Sequence, residues 1–481
     1  MKILFAVWEI DPFFKFGGLG DVARAFPAAL KDLGVDIRIT IPFYKAVKLG
    51  RNRKKLLCRL RVEYAGRKEK VEIYEVAHPL NNVPVYFLKN KKYLDIVSAA
   101  DTFAFFDKAV VDIVKNNSLD FQPDIIQCND HHTGMIPLLV KENKLNIKTI
   151  MTIHNLAYQG FNSKEVLDKL GIEHTKSRLI RWEIKRRQIN FLMEGIIHAD
   201  AVTTVSPTYA QEIMTEEFGM GLEELLRGKE GRIFGILNGI SADTRYKYHG
   251  KLNTCEFVQR KSEFKNNFGE HLKFFLEKKR KNKLLLQRKL GLRATSKLPL
   301  SCFIGRLDPA QKGLDILHKM IRKVIDSEDN QFVILGSGNI DWQKRFEWLY
   351  KFYPKYISCN FKFDEGLAHE IYEASDFILI PSKFEPCGLI QMLGMYFGTI
   401  PIAHRTGGLA DSIKTYYNGF LFDRYSSVAL RNTYERAVEI WKKDRKKFEE
   451  MVVNALNTDF SWDLRAKEYR ELYEKLISGS I

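Results

Sequence analysis

Long apolar runs, clustered cysteines and Asp-x-Asp pairs are all missing from this chain. No stretch reaches the roughly 18 apolar residues that a membrane-spanning helix needs, so no membrane partner is expected. The six cysteines are far apart and never form a Cys-x-x-Cys pair, which argues against a zinc knuckle or a disulfide framework and favours a reducing compartment. Without an Asp-x-Asp pair, one common way of holding a catalytic metal is also missing. We therefore expect neither a metal nor a cofactor.

What the chain has in excess is positive charge. Its net charge is +17 and its pI is near 9.3, values that invite a nucleic-acid interpretation. Part of the excess lies between Arg260 and Lys297, however, and a charge run of this kind is usually a solvated helix face or a linker. No nucleic-acid-binding motif accompanies it. We therefore expect no nucleic-acid partner.

The length and the order of patterns predict an α/β protein with two domains. The chain has 481 residues, 45% of them apolar, which is too long for one compact core. Short β-rich runs alternate with longer helical patterns, and this rhythm predicts crossover units on mostly parallel sheets. The predicted strands are 3–7, 37–41, 83–88, 124–127, 149–153, 201–205 and 233–237 in the first half, and 300–304, 332–335, 357–361, 377–380 and 399–402 in the second.

Each half is interpreted as a doubly wound, Rossmann-like domain. We place the first domain at 1–240, a basic interdomain segment at 241–297, the second domain at 298–460 and a C-terminal amphipathic helix at 461–481. Open parallel sheets bind ligands beyond the carboxyl ends of their strands. Two such domains facing one another are expected to enclose a cleft there, and candidate site residues are sought at those ends.

A glycine-rich turn directly before the first predicted helix is the first candidate site. Lys15–Val22 reads KFGGLGDV, in which glycines let backbone N–H groups approach an anion and Lys15 adds a positive charge. The glycine spacing of this turn also fits a dinucleotide-binding fingerprint. That pattern needs an acidic residue at the end of the second strand, where this chain has Pro42–Tyr44. A turn that only packs helix on sheet would leave the lysine unexplained.

One strand-to-helix turn in the second half carries two cations. Arg306 follows the strand 300–304, and Lys312 stands just before the next helical pattern. Two cations at one turn can hold a pyrophosphate and stabilise it as it departs. A solvated turn is the alternative.

A later loop places a carboxylate beside a glycine turn. Residues 381–389 read PSKFEPCGL, so Glu385 can accept hydrogen bonds from sugar hydroxyls while amides after Gly388 can meet phosphate oxygens. Residues 405–409, RTGGL, form a second glycine-containing turn after the next predicted strand. Cys387 has no adjoining histidine base, and an ordinary apolar thiol is a better interpretation than a nucleophile.

Two histidine-containing turns follow predicted strands of the first half. His154 ends the strand 149–153, which would place it at the mouth of the cleft, although a lone histidine is usually structural. Asn129 and Asp130 follow the preceding strand and lead into His131 and His132. These vicinal histidines are expected to point to different sides of an extended chain, which argues against a metal site.

Taken together, these motifs resemble the bacterial glycogen synthase and plant starch synthase family of retaining glycosyltransferases. The run from Pro381 to Gly388 is a highly specific match. The resemblance implies the GT-B fold, with two Rossmann-like domains facing across a cleft and the C-terminal helix returning to the first domain. The matching segments are 15–22, 129–130, 154–160, 205–213, 235–240, Arg306 with Lys312, 384–389 and 399–411.

The resemblance also implies roles for these residues. The family transfers glucose, without a metal, from ADP-glucose to the non-reducing end of an α-1,4-glucan, in the bacterial cytoplasm or in plastids. By resemblance, the catalytic residues are His154, Arg306, Lys312 and Glu385. The implied donor contacts are Lys15, Gly17, Gly18, Asp21, Cys387, Gly388, Leu389, Thr406 and Gly407, and the acceptor-side residues are Glu9, Asp130 and Asn155.

Several positions depart from the family pattern. Arg306 and Lys312 are one residue farther apart than usual, so their common aim at a phosphate is an assumption. The departures leave open UDP-glucose as the donor, another acceptor, or a weakly active glucan-binding regulatory homologue. They are Trp8 for a serine, Thr102 for an arginine, His131 for a tryptophan and Ser241 for an aspartate.

Overall fold

The structure, a computed structural model, describes residues 1–96, 100–173, 188–240 and 268–481. The chain divides into two compact units, an N-terminal unit of Met1–Gly239 with Ser461–Ile481 and a C-terminal unit of Ile240–Phe460. Ser241, one of the departures from the family pattern, and Cys255, one of the six cysteines, lie outside the described residues.

The N-terminal unit is built on a nine-stranded sheet and a separate strand pair. Its strands are β1 (Lys2–Ala6), β2 (Asp36–Pro42), β3 (Lys55–Tyr64), β4 (Arg67–Ala77), β5 (Pro84–Lys89), β6 (Ile125–Asn129), β7 (Lys148–Ile153), β8 (Phe161–Ser163), β9 (Gln188–Asn190), β10 (Ala201–Thr204) and β11 (Ile233–Gly235). The sheet order is β11-β10-β7-β6-β1-β2-β5-β4-β3, parallel from β11 to β5 and antiparallel beyond, while β8 pairs with β9. All seven predicted strands of this half are confirmed within two residues.

The C-terminal unit contains a second, fully parallel sheet. Its strands are β12 (Leu300–Ile304), β13 (Gln331–Leu335), β14 (Ile357–Asn360), β15 (Phe377–Ile380), β16 (Ile400–His404) and β17 (Phe420–Phe422). They follow the order β14-β13-β12-β15-β16-β17. The five predicted strands are confirmed within two residues. The chain runs from β12 outward to β13 and β14 and then crosses to β15 on the other side of β12, so the switch point where such sheets bind ligands lies beside β12.

Helices connect the strands of both sheets. None of those in the described residues has both the length and the apolar composition needed to cross a membrane. They are α1 (Gly18–Asp32), α2 (Ala100–Lys115), α3 (Ile136–Glu142), α4 (Glu165–Leu170), α5 (Phe191–His198), α6 (Pro207–Glu212), α7 (Glu223–Arg227), α8 (Phe268–Lys289), α9 (Leu314–Val324), α10 (Ile340–Phe352), α11 (Glu365–Ala374), α12 (Ile390–Tyr396), α13 (Gly407–Ser412), α14 (Ser427–Lys443), α15 (Arg445–Asn457) and α16 (Trp462–Ser478).

The C-terminal helix α16 returns to the N-terminal unit, as predicted. Its buried residues recur at helical spacing, and two of them pack on Phe26 of α1, with ring centroids 5.2 Å away for Trp462 and 4.4 Å for Tyr469. The hydroxyl of Tyr473 donates to Gln127 Oε1 inside the unit. The last helix therefore completes the core under the first sheet.

The basic helix α8 belongs to the C-terminal unit. Lys279 is buried and donates to Thr399 Oγ1 at 2.8 Å and to three backbone carbonyls. Lys283 is also buried and pairs with Asp376 at 2.6 Å. For these two lysines, the interpretation as a solvated face or linker is wrong, because both are buried and bonded to oxygen atoms at the ends of helices and just before strands. Residues 241–267 of the predicted interdomain segment lie outside the described residues.

Candidate active site

Three neighbouring strands of the N-terminal unit end in predicted site residues. Glu9 follows β1, Asp130 follows β6 and His154 follows β7. These strands are adjacent and parallel, so their carboxyl ends share one edge of the sheet. The fold therefore brings the acceptor-side candidates and the candidate histidine to the same edge.

Glu9 holds the backbone of the glycine loop through hydrogen bonds. Its carboxylate is buried, and Oε2 accepts hydrogen bonds from the backbone N–H groups of Phe16 and Gly17, the latter at 2.8 Å. Burial raises the pKa of Glu9, and these hydrogen bonds oppose the rise. A Cβ on Gly20 would lie 3.0 Å from Lys15 Cγ, so the glycine keeps the loop compact. The N–H groups of Phe16 and Gly17 are thus already bonded to a side chain of the protein itself.

Lys15 is held at the surface of the same loop by Asp21. Its Nζ lies 2.9 Å from the Asp21 carboxylate, and both side chains are about one-third exposed or less. The buried Arg24 lies 3.8 Å from Asp21 and 3.1 Å from Asp11. Gly17 precedes α1 and Gly18 begins it, without a side-chain cap. The lysine is therefore positioned beside a helix N-terminus.

Asn129 and Asp130 fix the orientation of His154. Asp130 Oδ1 accepts the backbone N–H groups of His154 at 2.8 Å and Asn155 at 3.4 Å. Asn129 Nδ2 donates to Ala6 O, which turns Oδ1 toward His154 Nε2 at 2.9 Å. Nε2 therefore carries the ring proton, and Nδ1 is the accepting nitrogen. Burial lowers the pKa of His154 to about 4, so the ring is neutral at pH 7.

Asp130 is expected to make stability fall with rising pH. Desolvation raises its pKa to about 7, above its value in an unfolded chain, so the folded protein retains a proton that the unfolded one has lost. Stability from this group is fully present below about pH 4 and falls by about 1.4 kcal/mol per pH unit until the pH reaches the folded pKa of about 7. In Asp130→Asn, the melting temperature should vary less between about pH 4 and 7.

Thermal unfolding followed by circular dichroism measures this difference. The histidines titrate in both proteins, so comparing the two curves isolates Asp130. Asp120→Asn removes an exposed carboxylate and should leave the wild-type pH dependence unchanged. Parallel curves for wild type and Asp130→Asn would contradict the prediction.

The departures Trp8 and His131 lie in one stack of rings. The imidazole centroids of His131 and His132 are 3.7 Å apart, and Trp8 stacks on His132 at 4.5 Å with 14° between planes. The expectation that the histidines point to different sides is wrong, because His131–Thr133 is a 3-10 turn and not extended chain. Within the described residues, no group of three or more His, Cys, Asp or Glu side chains could hold a metal.

Two further positions explain how this region packs. A Cβ on Gly160 would lie 2.4 Å from the ring of His131, so only glycine leaves room for the imidazole. Thr102, where the family often has an arginine, is buried and donates to Ile96 O at 3.0 Å. Its hydroxyl therefore serves the local backbone.

Three neighbouring strands of the C-terminal unit also end in predicted site residues. Arg306 follows β12, Glu385 follows β15 and Thr406 follows β16. Lys312 Nζ lies 2.6 Å from Glu385 Oε2, and the same oxygen accepts from Ser382 Oγ at 2.8 Å. Both charged side chains are largely buried. The structure thus places one predicted cation directly on the predicted carboxylate at the switch point.

Arg306 has different partners from Lys312. Its Nη2 donates to Gln311 Oε1 at 3.2 Å, and its Nη1 lies 3.7 Å from Asp308. Its side chain is 58% exposed, whereas that of Lys312 is 14% exposed. That Arg306 and Lys312 both bind the same phosphate group therefore stays a prediction.

The two glycine loops pack backbone against backbone. A Cβ on Gly407 would lie 2.0 Å from Glu385 O, and one on Gly408 would lie 2.1 Å from Cys387 O. Gly408 N donates to Glu385 O at 3.1 Å. This contact requires both glycines, and it holds the Glu385 backbone in place.

The helices after these loops fix the remaining donor-side candidates. Leu389 precedes α12, and Gln391 Nε2 donates to the carbonyls of Cys387 at 3.0 Å and Gly388 at 2.7 Å. Thr406 is buried at the start of α13. Gln391 and Ser382 were not predicted as supports, although Ser382 lies inside the highly specific run from Pro381 to Gly388.

Two family models match most of the chain. A model of the starch synthase catalytic domain matches residues 2–228, and a model described as glycosyl transferases group 1 matches residues 288–455. A glycogen synthase of Thermosipho melanesiensis is 37% identical over 100% of both chains. The chain belongs to the glycogen and starch synthase family. A family member from Clostridium beijerinckii, also a glycogen synthase, is 38% identical over 99% of each chain.

Solved structures agree with this membership. The catalytic domain of starch synthase IV from Arabidopsis thaliana, bound to ADP and acarbose, superposes with a TM-score of 0.83, 31% identity and 99% coverage of each chain. Sucrose-phosphate synthase from Thermosynechococcus elongatus, at 16% identity and a TM-score of 0.60 over 99% of each chain, shares the fold. The predicted GT-B fold class is confirmed, and the chain is a glycosyltransferase.

Proposed function

We propose that this enzyme transfers glucose from ADP-glucose to the non-reducing end of an α-1,4-glucan, with retention of the anomeric configuration and without a metal ion. The observation that carries the proposal is the Lys312–Glu385 pair at the switch point of the second sheet. Family membership supports the glucan, and the ADP held by the related starch synthase IV supports the adenine nucleotide.

The charges at this switch point suit departure of a diphosphate. Breaking the anomeric bond leaves negative charge on the phosphates and positive charge on the sugar. Glu385, which accepts a hydrogen bond from Ser382, holds the ammonium of Lys312 in a largely buried position, so this cation needs little reorganisation to meet the leaving group. Arg306, more exposed beside it, adds a second cation that can form paired hydrogen bonds with phosphate oxygens.

The C-terminal unit is thus proposed as the nucleotide-sugar domain and the N-terminal unit as the acceptor side. Lys15, fixed by Asp21, is proposed as a further donor contact. His154 is neutral and presents Nδ1 as an acceptor, which suits a hydrogen bond from a sugar hydroxyl rather than proton donation. Retention then follows from attack on the face that the diphosphate leaves, with its oxygen taking the acceptor's proton.

A donor panel tests this proposal. The purified protein is incubated with glycogen and radiolabelled ADP-glucose or UDP-glucose, and label in precipitated glycogen is counted. We expect incorporation from ADP-glucose at least about tenfold faster than from UDP-glucose, a difference of about 1.4 kcal/mol in transition-state binding.

Two results would count against parts of the proposal. Faster transfer from UDP-glucose would overturn the donor assignment and leave the reaction class intact. Glycogen binding without transfer from either donor would favour the regulatory homologue. Proton NMR of the first product distinguishes α from β linkages and so tests retention.

A further inference from the structure

Two aromatic rings lie beside the glycine loop at the edge of the first sheet. Trp8 is half-buried just beyond β1, and Phe16, next to Lys15, is 84% exposed. Their ring centroids are 6.0 Å apart with 51° between planes. A single exposed apolar side chain is ordinary, but an exposed phenylalanine in contact with an indole at a ligand-binding edge is a candidate contact surface.

The indole is held in a fixed plane from one side. His132 stacks on it at 4.5 Å, His131 lies 3.7 Å behind His132, and Phe103 meets His132 edge-on at 4.6 Å. Burial lowers the pKa of both histidines, so this backing is uncharged at pH 7. The position of Trp8 is therefore set by the fold before any ligand arrives.

The backbone of Phe16 is fixed as well. Its N–H group donates to the buried carboxylate of Glu9, and the next N–H, of Gly17, donates to the same oxygen. The loop is thus anchored while the phenyl ring remains in solvent. An anchored backbone with an exposed ring is the arrangement expected of a recognition residue, because the backbone loses little further entropy when a ligand covers the ring.

We propose that Trp8 and Phe16 form an aromatic platform that binds one glucosyl residue of the α-glucan. Pyranose rings present apolar C–H groups on their faces and hydroxyls at their rims. The platform supplies the apolar face, and the partly exposed Lys15–Asp21 pair beside it supplies charged partners for hydroxyls. This inference rests on the proposed function, which names the glucan as the acceptor.

Binding measurements test the platform without relying on turnover. Affinities for maltoheptaose and for ADP are measured by isothermal titration calorimetry with the full-length protein. Phe16→Ala is expected to weaken maltoheptaose binding about tenfold and to change ADP binding less than about twofold. Phe16→Tyr keeps a ring and should bind maltoheptaose as wild type does.

Trp8→Ala should weaken maltoheptaose binding similarly. Trp8→Phe is the variant that preserves the stack on His132.

The matched control is Phe352→Ala, because Phe352 is also an exposed phenylalanine, at 62%, but lies at the end of α10 in the C-terminal unit. It should leave both affinities unchanged. Unaltered maltoheptaose binding by Phe16→Ala would overturn the platform, and so would a parallel loss of ADP binding. Absence of maltoheptaose binding by the wild type would also overturn it. If the platform variants behave as expected but no nucleotide sugar supports transfer, the proposed function fails and the platform stands.

Discussion

Lys312→Ala is expected to lower kcat for glucosyl transfer by a factor of about 10²–10³. The ammonium is largely buried and held 2.6 Å from Glu385, so it acts where screening by water is weak. Its loss removes charge stabilisation that grows as the diphosphate leaves, and therefore reduces kcat more than it changes the KM for glycogen. Initial rates of label transfer from ADP-glucose into glycogen measure the effect.

The same substitution has a structural cost that must be separated from catalysis. Without the lysine, the carboxylate of Glu385 stays buried and keeps the hydrogen bond from Ser382, and breaking such an ion pair costs about 3 kcal/mol. The double variant Lys312→Met with Glu385→Gln removes both charges and should recover most of the melting temperature but none of the activity. Lys319→Ala, an exposed lysine on α9, is the control and should keep wild-type rates. Near wild-type kcat in Lys312→Ala would refute the leaving-group role.

The side-chain partner of Lys312 could not be predicted from the sequence. The sequence predicted Arg306 and Lys312 as a pair because they share one strand-to-helix turn. In the structure, Lys312 reaches Glu385, which is 73 residues away, and Arg306 bonds to Gln311 within its own turn. Motif spacing proposed these residues as site candidates, but a contact between two loops depends on the strand order, which places β12 beside β15.

The fold could be predicted where apolar runs were long enough, and it was missed elsewhere. The hairpin β3–β4 was not predicted, because its strands carry many exposed charged residues and its turn lacks the usual Asn-Gly signal. Ala65 and Gly66 form that turn, with φ of 51° and 68°. Alanine rarely adopts a positive φ, so its presence in the sequence does not predict such a turn. The strand β17 is only three residues long, too short for a periodic pattern.

The ring stack around His132 could not be predicted for a different reason. Each of Trp8, His131 and His132 was visible in the sequence, but the extended geometry assumed for the histidines was wrong. A 3-10 turn places neighbouring side chains closer together than a strand does, and this turn starts at Asp130, whose φ is 55°. A residue with a strained backbone at a strand end is a feature that only coordinates reveal.

Lys15→Ala is expected to lower kcat/KM for ADP-glucose by about 10² while leaving the melting temperature within about 2 °C of wild type. The lysine and its partner Asp21 are both partly exposed, so their ion pair contributes less than about 1 kcal/mol to folding. Contact with a bound donor excludes water around the ammonium, and there the same charge stabilises far more. An activity loss without a stability loss separates this residue from Lys312, whose removal should change both.

Steady-state rates over a range of ADP-glucose concentrations, combined with thermal unfolding, measure the two effects of Lys15→Ala. Lys31→Ala, in the last turn of the same helix α1, is the matched control because it removes an exposed lysine from the opposite end. Asp21→Asn should lose less activity than Lys15→Ala, because it loosens the ammonium without removing its charge. If Lys31→Ala and Lys15→Ala have equal rates, the charge of Lys15 acts only in the general field of the protein, and its role as a donor contact is refuted.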